Sequence, residues 1–324
     1  NNLGIVFNKL GKHSEALENY NRALVIQPNY AEAHYNLGCA LAYSGQIESA
    51  IASYKKAIEI NSNYAEAYYN LGNIFKEVNQ IDTAINSYEQ AIAINPGYAE
   101  AHFKLAFIYK DIGQLNKAII FYEQAIKINP RYTDAYCNLG VIYEELGELE
   151  HAIDHYKTAI KLKPDFTDAH NNLGLVFKAL NQPDHAVECF EKALKINPNY
   201  PQAHSNLGLI YHDMGEFNVA VKCHKQALKI KPDFAEAHNN LGLIYHEMGE
   251  FDVAIKHHKQ ALKIKPDFAE AHFNLGHVFQ AIKKHDSAIS CYRQALKINP
   301  FDSDAYCNQG MIFHGQYQFD KAIN

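Results

Sequence analysis

The chain has 324 residues, is 48% hydrophobic and 20% charged, and carries a formal charge of −6. That hydrophobic share suffices for a core, while mild acidity without any basic run argues against a nucleic-acid partner. No apolar run approaches the ~18 residues of a membrane span, and no signal peptide is visible.

From its first residues the chain repeats itself every 34. A Leu-Gly pair stands at Leu3-Gly4, Leu37-Gly38, Leu71-Gly72, Leu139-Gly140, Leu173-Gly174, Leu207-Gly208, Leu241-Gly242 and Leu275-Gly276, and survives in part as Leu105-Ala106 and Gln309-Gly310. Residues 1–30 form a repeat lacking its first four places. Eight whole repeats follow at 31–64, 65–98, 99–132, 133–166, 167–200, 201–234, 235–268 and 269–302, and 303–324 is a repeat lacking its last twelve places. The expected organisation is one solenoid over 1–324, with each repeat touching only its neighbours along a continuous core.

Apolar spacing predicts two helices per repeat. In the repeat from Ala235 the first presents Ala237, His238, Leu241, Gly242, Ile244 and Tyr245, and the second Phe251, Ala254, Ile255, His258, Ala261, Leu262 and Ile264. Gly at the fifteenth place (Gly11, Gly45, Gly113, Gly147, Gly215, Gly249) is placed to end the first helix in the left-handed conformation, with Asn79 and Asn181 standing in. Pro follows the second helix everywhere from Pro28 to Pro300 except at Ser62. Asp233 and Glu236 have capping-box spacing, and lysines gather at the ends of second helices, where the helix dipole favours them. The twentieth place is always Ala, from Ala16 to Ala322, and so is the twenty-seventh, from Ala23 to Ala295, which brings helices close.

A helix-turn-helix unit with this period resembles the tetratricopeptide repeat over the whole chain. The resemblance implies an all-α solenoid, a right-handed superhelix of about one turn with first helices on its inner wall, and a protein-interaction scaffold as the function. It also implies a protein or peptide ligand held in the concave groove.

The sixth place carries the sharpest signal for that groove. Asn fills it at Asn2, Asn36, Asn70, Asn138, Asn172, Asn206, Asn240, Asn274 and Asn308, with Lys104 the interruption. A carboxamide both donates and accepts, so such a row can pair with the main chain of an extended peptide; tying adjacent helices together is the competing explanation. The row resembles the asparagine ladder in the repeat superhelix of the O-linked N-acetylglucosamine transferases, which implies an alternative function as the substrate-recruiting arm of a larger enzyme. The fifth place gives Tyr35, Tyr69 and Phe103, then Cys137, Asn171, Ser205 and Asn239. The ninth gives Phe107, Val141, Leu175, Leu209 and Leu243, an apolar floor that packing between repeats explains equally well.

The second place is acidic from Glu32 to Asp304 except at Gln202, which suits helix capping. The family's clamp for chaperone tails wants Lys or Arg at the second, fifth and sixth places; only Lys104 answers, so that clamp is absent. Histidine occupies the fourth place at His34, His102, His170, His204, His238 and His272, and the twenty-fourth at His224 and His258, as flat rings filling flat slots. Rows separated by a repeat do not converge on a metal, which needs several ligands at about 2 Å, or on an active site, whose groups must converge from different directions. The expected protein is therefore not an enzyme and has no cofactor. Its six cysteines lack any C-x-x-C pair and imply a reducing, cytoplasmic location. The chain opens and closes inside helices, the expectation for a piece of a longer protein and for end-to-end self-association.

Overall fold

The computed structural model describes residues 1–315 and divides the chain into two compact units, Asn1–Leu162 and Lys163–Asn324. Among the described residues every regular element is a helix. The first unit holds α1 (Asn2–Lys9), α2 (His13–Ile26), α3 (Ala31–Tyr43), α4 (Ile47–Ile60), α5 (Ala65–Glu77), α6 (Ile81–Ile94), α7 (Ala99–Asp111), α8 (Leu115–Ile128), α9 (Thr133–Glu145) and α10 (Leu149–Leu162). The second holds α11 (Thr167–Ala179), α12 (Pro183–Ile196), α13 (Pro201–Asp213), α14 (Phe217–Ile230), α15 (Ala235–Glu247), α16 (Phe251–Ile264), α17 (Ala269–Ala281), α18 (His285–Ile298) and α19 (Ser303–Gly315). Within each unit the helices pair as hairpins, and each hairpin packs on the next, which is solenoid packing.

Two kinds of glycine make the hairpin. At the fifteenth place φ is positive, from 73° at Gly45 to 79° at Gly249, and a side chain there would meet nothing within 4 Å. The constraint is conformational: the turn closes with Gln46 N–H donating to Leu41 O at 2.9 Å, the long bond of a Schellman motif. Asn79 at 59° and Asn181 at 54° adopt the same conformation, and so does Lys283 at 60°, which the spacing alone does not single out. At the eighth place the constraint is space. A Cβ on Gly72 would stand 2.7 Å from the Tyr88 ring, and one on Gly242 2.6 Å from the His258 ring.

Small residues do the rest. From Ala16 to Ala288 the twentieth-place alanines are fully buried, and so are the twenty-seventh-place ones from Ala57 to Ala295, while Ala23 is half-buried. Ala322 lies outside the described residues. The twenty-fourth-place rings Tyr20, Tyr54, Tyr88, Tyr122, Tyr156, Phe190 and Tyr292 are the largest buried side chains.

The turns between repeats differ from expectation in one respect. Asp233 and Glu236 form no capping box: the N-cap of α15 is Phe234, one residue later, and it makes no side-chain cap bond. Tyr30, Tyr64, Tyr98, Tyr132, Phe166, Tyr200 and Phe268 hold the same position. The aromatic side chain is there for packing and has no oxygen placed to cap. Where Asp302 replaces it, the carboxylate does accept from the N–H groups of Asp304 and Ala305, at 3.1 and 3.0 Å. The turn is held instead by the fourth-place histidines, whose Nε2–H donates to the carbonyl of the proline six residues back. His34–Pro28 is 2.9 Å, His170–Pro164 3.0 Å and His272–Pro266 3.0 Å. Proline itself is dispensable: Asn61, before Ser62, is as extended (φ −132°, ψ 94°) as Lys265 before Pro266 (φ −130°, ψ 90°).

Candidate functional site

Places 2, 5, 6, 9, 12 and 13 share one face of each first helix by helical spacing, and the sixth-place asparagines sit at the middle of it. From Asn36 to Asn308 they are half-buried, and Asn2 is exposed. Their amide N–H groups are used in a regular way. In the first unit Asn36 Nδ2 donates to Asn1 Oδ1 at 2.9 Å and Asn70 Nδ2 to the Tyr35 hydroxyl at 3.2 Å. In the second unit Asn206 Nδ2 donates to Asn171 Oδ1 at 3.0 Å and Asn274 Nδ2 to Asn239 Oδ1 at 3.2 Å. Each of these bonds runs to the fifth place of the preceding repeat, so the row does tie helices together.

The carbonyl oxygens are a separate matter. Among the described residues no donor reaches Oδ1 of Asn36, Asn70, Asn206 or Asn274, and Asn240 makes no side-chain hydrogen bond. Asn138 and Asn172 differ. Asn138 donates to Asp134 O at 2.8 Å and accepts from Lys110 Nζ at 3.2 Å, and Asn172 accepts from Asn171 Nδ2 at 3.3 Å.

The ninth-place residues Phe107 and Val141 in the first unit, and Leu175, Leu209 and Leu243 in the second, are all half-buried. Tyr35, Tyr69 and Phe103 are half-buried too, but they are engaged: their rings lie 4.8, 4.9 and 4.7 Å from Tyr64, Tyr98 and Tyr132 at the entry to the next first helix. Cys137, Asn171, Ser205 and Asn239 at the same place are buried, facing inward rather than offering a surface. Second-place acids remain exposed and bond to neighbours. Glu32 accepts from Asn1 Nδ2 at 3.0 Å, Asp168 from the Tyr200 hydroxyl at 2.8 Å, and Glu270 from Asn239 Nδ2 at 3.0 Å.

Two buried histidines in the second unit take the ring slot that tyrosine, or Phe190, fills in the other repeats. His258 Nδ1–H donates to Asn239 Oδ1 at 3.0 Å, and His224 Nδ1 stands 3.3 Å from Ser205 Oγ. Both Nε2 atoms are buried without a partner. Burial pushes His224 down to about 4, with His212 adding to it, and His258 down to about 3, with His246 and His257 adding to it. Both rings are therefore neutral at pH 7. His257 is also lowered by burial, then by His238 and nearby lysines, to about 4. Its Nδ1 lies 3.1 Å from His238 Nδ1. Because His238 Nε2–H serves the Pro232 carbonyl, His238 Nδ1 is the acceptor and His257 the donor.

Among the described residues no three His, Cys, Asp or Glu side chains are arranged to hold a metal ion, and no helix is long and apolar enough to cross a membrane. The row that sequence reasoning passes over is the twelfth place, where Lys76, Lys110, Lys178, His212 and His246 stand in order, interrupted by Glu144. Its periodicity is visible in the sequence, but lysine, glutamate and histidine in turn make no motif.

Two family models match the chain. One, described as the C-terminal domain of cilia and flagella-associated protein 70, matches residues 98–311, and a TPR repeat model matches 4–42, 39–79 and 72–113. No curated protein matches by sequence. Among solved structures, the Pseudomonas aeruginosa protein PilF is 23% identical with a TM-score of 0.58, covering 67% of this chain and 96% of its own. YrrB, described as a TPR protein with an unusual peptide-binding site, is 21% identical with a TM-score of 0.46, covering 60% of this chain and 97% of its own. MamA is 25% identical with a TM-score of 0.45, covering 51% of this chain and 97% of its own.

Proposed function

The chain belongs to the tetratricopeptide-repeat family, whose members are generally protein-interaction scaffolds, and on that premise we propose that it is a non-catalytic scaffold binding an extended segment of a partner protein along its first-helix face. The observation that carries the reading is the division of labour within the sixth-place carboxamides. At Asn36, Asn70, Asn206 and Asn274 the N–H group is spent between repeats, while the oxygen has no donor among the described residues. An amide oxygen without an internal donor leaves a hydrogen-bonding capacity that an extended main chain, with its N–H groups at regular spacing, is suited to use. The half-buried ninth-place residues supply apolar surface beside it. Both features repeat along rows, which suits a long ligand and not a converging active site. One solenoid over 1–324 is part of this proposal.

The reading is tested by selecting peptides from a random library on the purified chain, then measuring them against Asn172→Ala, Asn206→Ala and Asn240→Ala combined. Weaker binding with peptide contacts confined to first helices supports it. Unchanged affinity, or peptides that map to the second helices, contradicts it.

A further inference from the structure

Around Phe107 in the first unit stand three lysines that no carboxylate pairs with. Lys76 Nζ lies 3.9 Å from the centre of the Phe107 ring, and Lys110 Nζ 5.3 Å from it while donating to Asn138 Oδ1 at 3.2 Å. Lys104, the one sixth-place residue that is not Asn, is one helical turn before Phe107 and close enough to Lys76 to disfavour its charge. All four side chains are half-buried, and burial is the main reason the Lys76 ammonium is held below the usual lysine range. Among the described residues none of the three lysines comes within 4 Å of a carboxylate.

The second unit shows what the same backbone does when the twelfth-place side chain finds an internal partner. There Lys178 Nζ reaches Asp213 Oδ2 at 4.0 Å, and His212 Nε2 reaches Glu247 Oε2 at 3.0 Å. Each runs from the twelfth place of one repeat to the thirteenth of the next. Lys76 and Lys110 have the corresponding acids available, Asp111 and Glu145, and pair with neither; both lean on Phe107 instead. Asp111 is near enough only to favour the Lys76 charge through space. Ring faces attract cations, so Phe107 gathers the ammonium groups without neutralising them. In a chain of formal charge −6 this is a local concentration of unmet positive charge on the face proposed to bind.

We infer that Lys76, Lys104 and Lys110 around Phe107 form a subsite for a side-chain carboxylate of an acidic segment of a partner protein, with the ring receiving an adjacent apolar side chain. The inference rests on the scaffold reading above and gives its ligand a chemistry: acidic and apolar residues in alternation, read by charge complementarity. It uses the sixth and twelfth places, and so does not depend on the terminal-carboxylate clamp that the sequence lacks.

The test uses the whole chain and fluorescein-labelled octapeptides of alternating Glu and Leu, Gln and Leu, and phosphoserine and Leu, with affinity read by anisotropy. The Glu-Leu peptide is expected to bind. The combined variant Lys76→Gln, Lys104→Asn, Lys110→Gln should weaken it roughly tenfold or more, because three partly buried charges are removed together. Lys178→Gln, a loss of charge at the same place in the second unit, should leave it unchanged. Phe107 packs against the core, so Phe107→Leu should lower the melting temperature somewhat, and well below that melt it should weaken the Glu-Leu peptide. Lys104→Asn restores the residue of every other repeat, so the variants should fold, which thermal melts verify. Equal affinity for the Gln-Leu peptide, an unaffected triple variant, or an equal loss from Lys178→Gln overturns the subsite and leaves the scaffold reading standing. Binding of the phosphoserine peptide alone also overturns it, because the carboxylate would then be the wrong anion. Failure of all three peptides in a chain that also selects nothing from a random library overturns both.

Discussion

Compare the repeats of the first unit from 31 to 132 with those of the second from 201 to 268. Both press a ring against the eighth-place residue, but the first group uses Tyr54, Tyr88 and Tyr122 beneath Tyr35, Tyr69 and Phe103. The second uses His224 and His258 beneath Ser205 and Asn239. One interior is aromatic against aromatic; the other is a pair of buried imidazoles hydrogen-bonded to small polar side chains. The faces diverge as well: the first unit has unmet lysines, while in the second Lys178 reaches Asp213 and His212 is hydrogen-bonded to Glu247. One repeated backbone thus carries interiors that respond differently to pH and surfaces that differ in charge.

Acid should break the comparison most strongly. An imidazole whose folded value is lowered stabilises the fold fully above its unfolded value of about 6.5, and that stability is lost as pH falls toward the folded value. His224 and His258, lowered to about 4 and about 3, should each remove about 2 kcal/mol between pH 7 and pH 5. Hydrogen exchange, corrected for its intrinsic pH dependence, should show α13 to α16 losing more protection than α3 to α8, where lowered imidazoles are fewer and His102 is the buried one. His224→Phe with His258→Phe, copying the buried Phe190, should flatten that difference.

A smaller effect separates repeats within the first unit. Gly72→Ala places a Cβ 2.7 Å from the Tyr88 ring and should cost about 1–3 kcal/mol in a denaturant melt. The repeat holding Ala106 already accommodates that methyl. Its Tyr122 hydroxyl is buried without a partner, whereas Tyr88 donates to Asn73 Oδ1 at 2.8 Å. In the second unit Asn206→Ala, which removes a bond to buried Asn171, should cost about 1 kcal/mol. Lys283→Gly should stabilise by a similar amount, roughly 1 kcal/mol, because φ is 60° there and glycine carries no left-handed penalty. Smallest of all, Asn240→Ala removes no bond and should stay within about 0.5 kcal/mol.

The period, the helix pairs, and both glycine roles can be read from the chain because each leaves a fixed residue at a fixed place. The fourth-place histidines are legible as rings but not as donors to the carbonyls of Pro28 and Pro164, because that bond spans the turn and depends on the path of its backbone. The capping box fails because spacing alone does not say which residue leaves the helix, and Phe234 does. For the sixth-place asparagines, the sequence sets ligand against structure as rivals. The distance from Asn206 Nδ2 to Asn171 Oδ1 shows the N–H end tying two repeats together, and that bond leaves the oxygen end out of it, which the sequence alone does not separate. Lys76 and Lys110 stay hidden because what marks them is a pairing that fails to form.

The most direct test is a double-mutant cycle between Asn240→Ala and single main-chain N-methylations along a selected peptide. If amide oxygens of the sixth place accept the partner's main-chain N–H groups, one methylated position should show a coupling of about 1 kcal/mol, some fivefold in affinity, with the melting temperature unchanged. Strict additivity at every peptide position would contradict it.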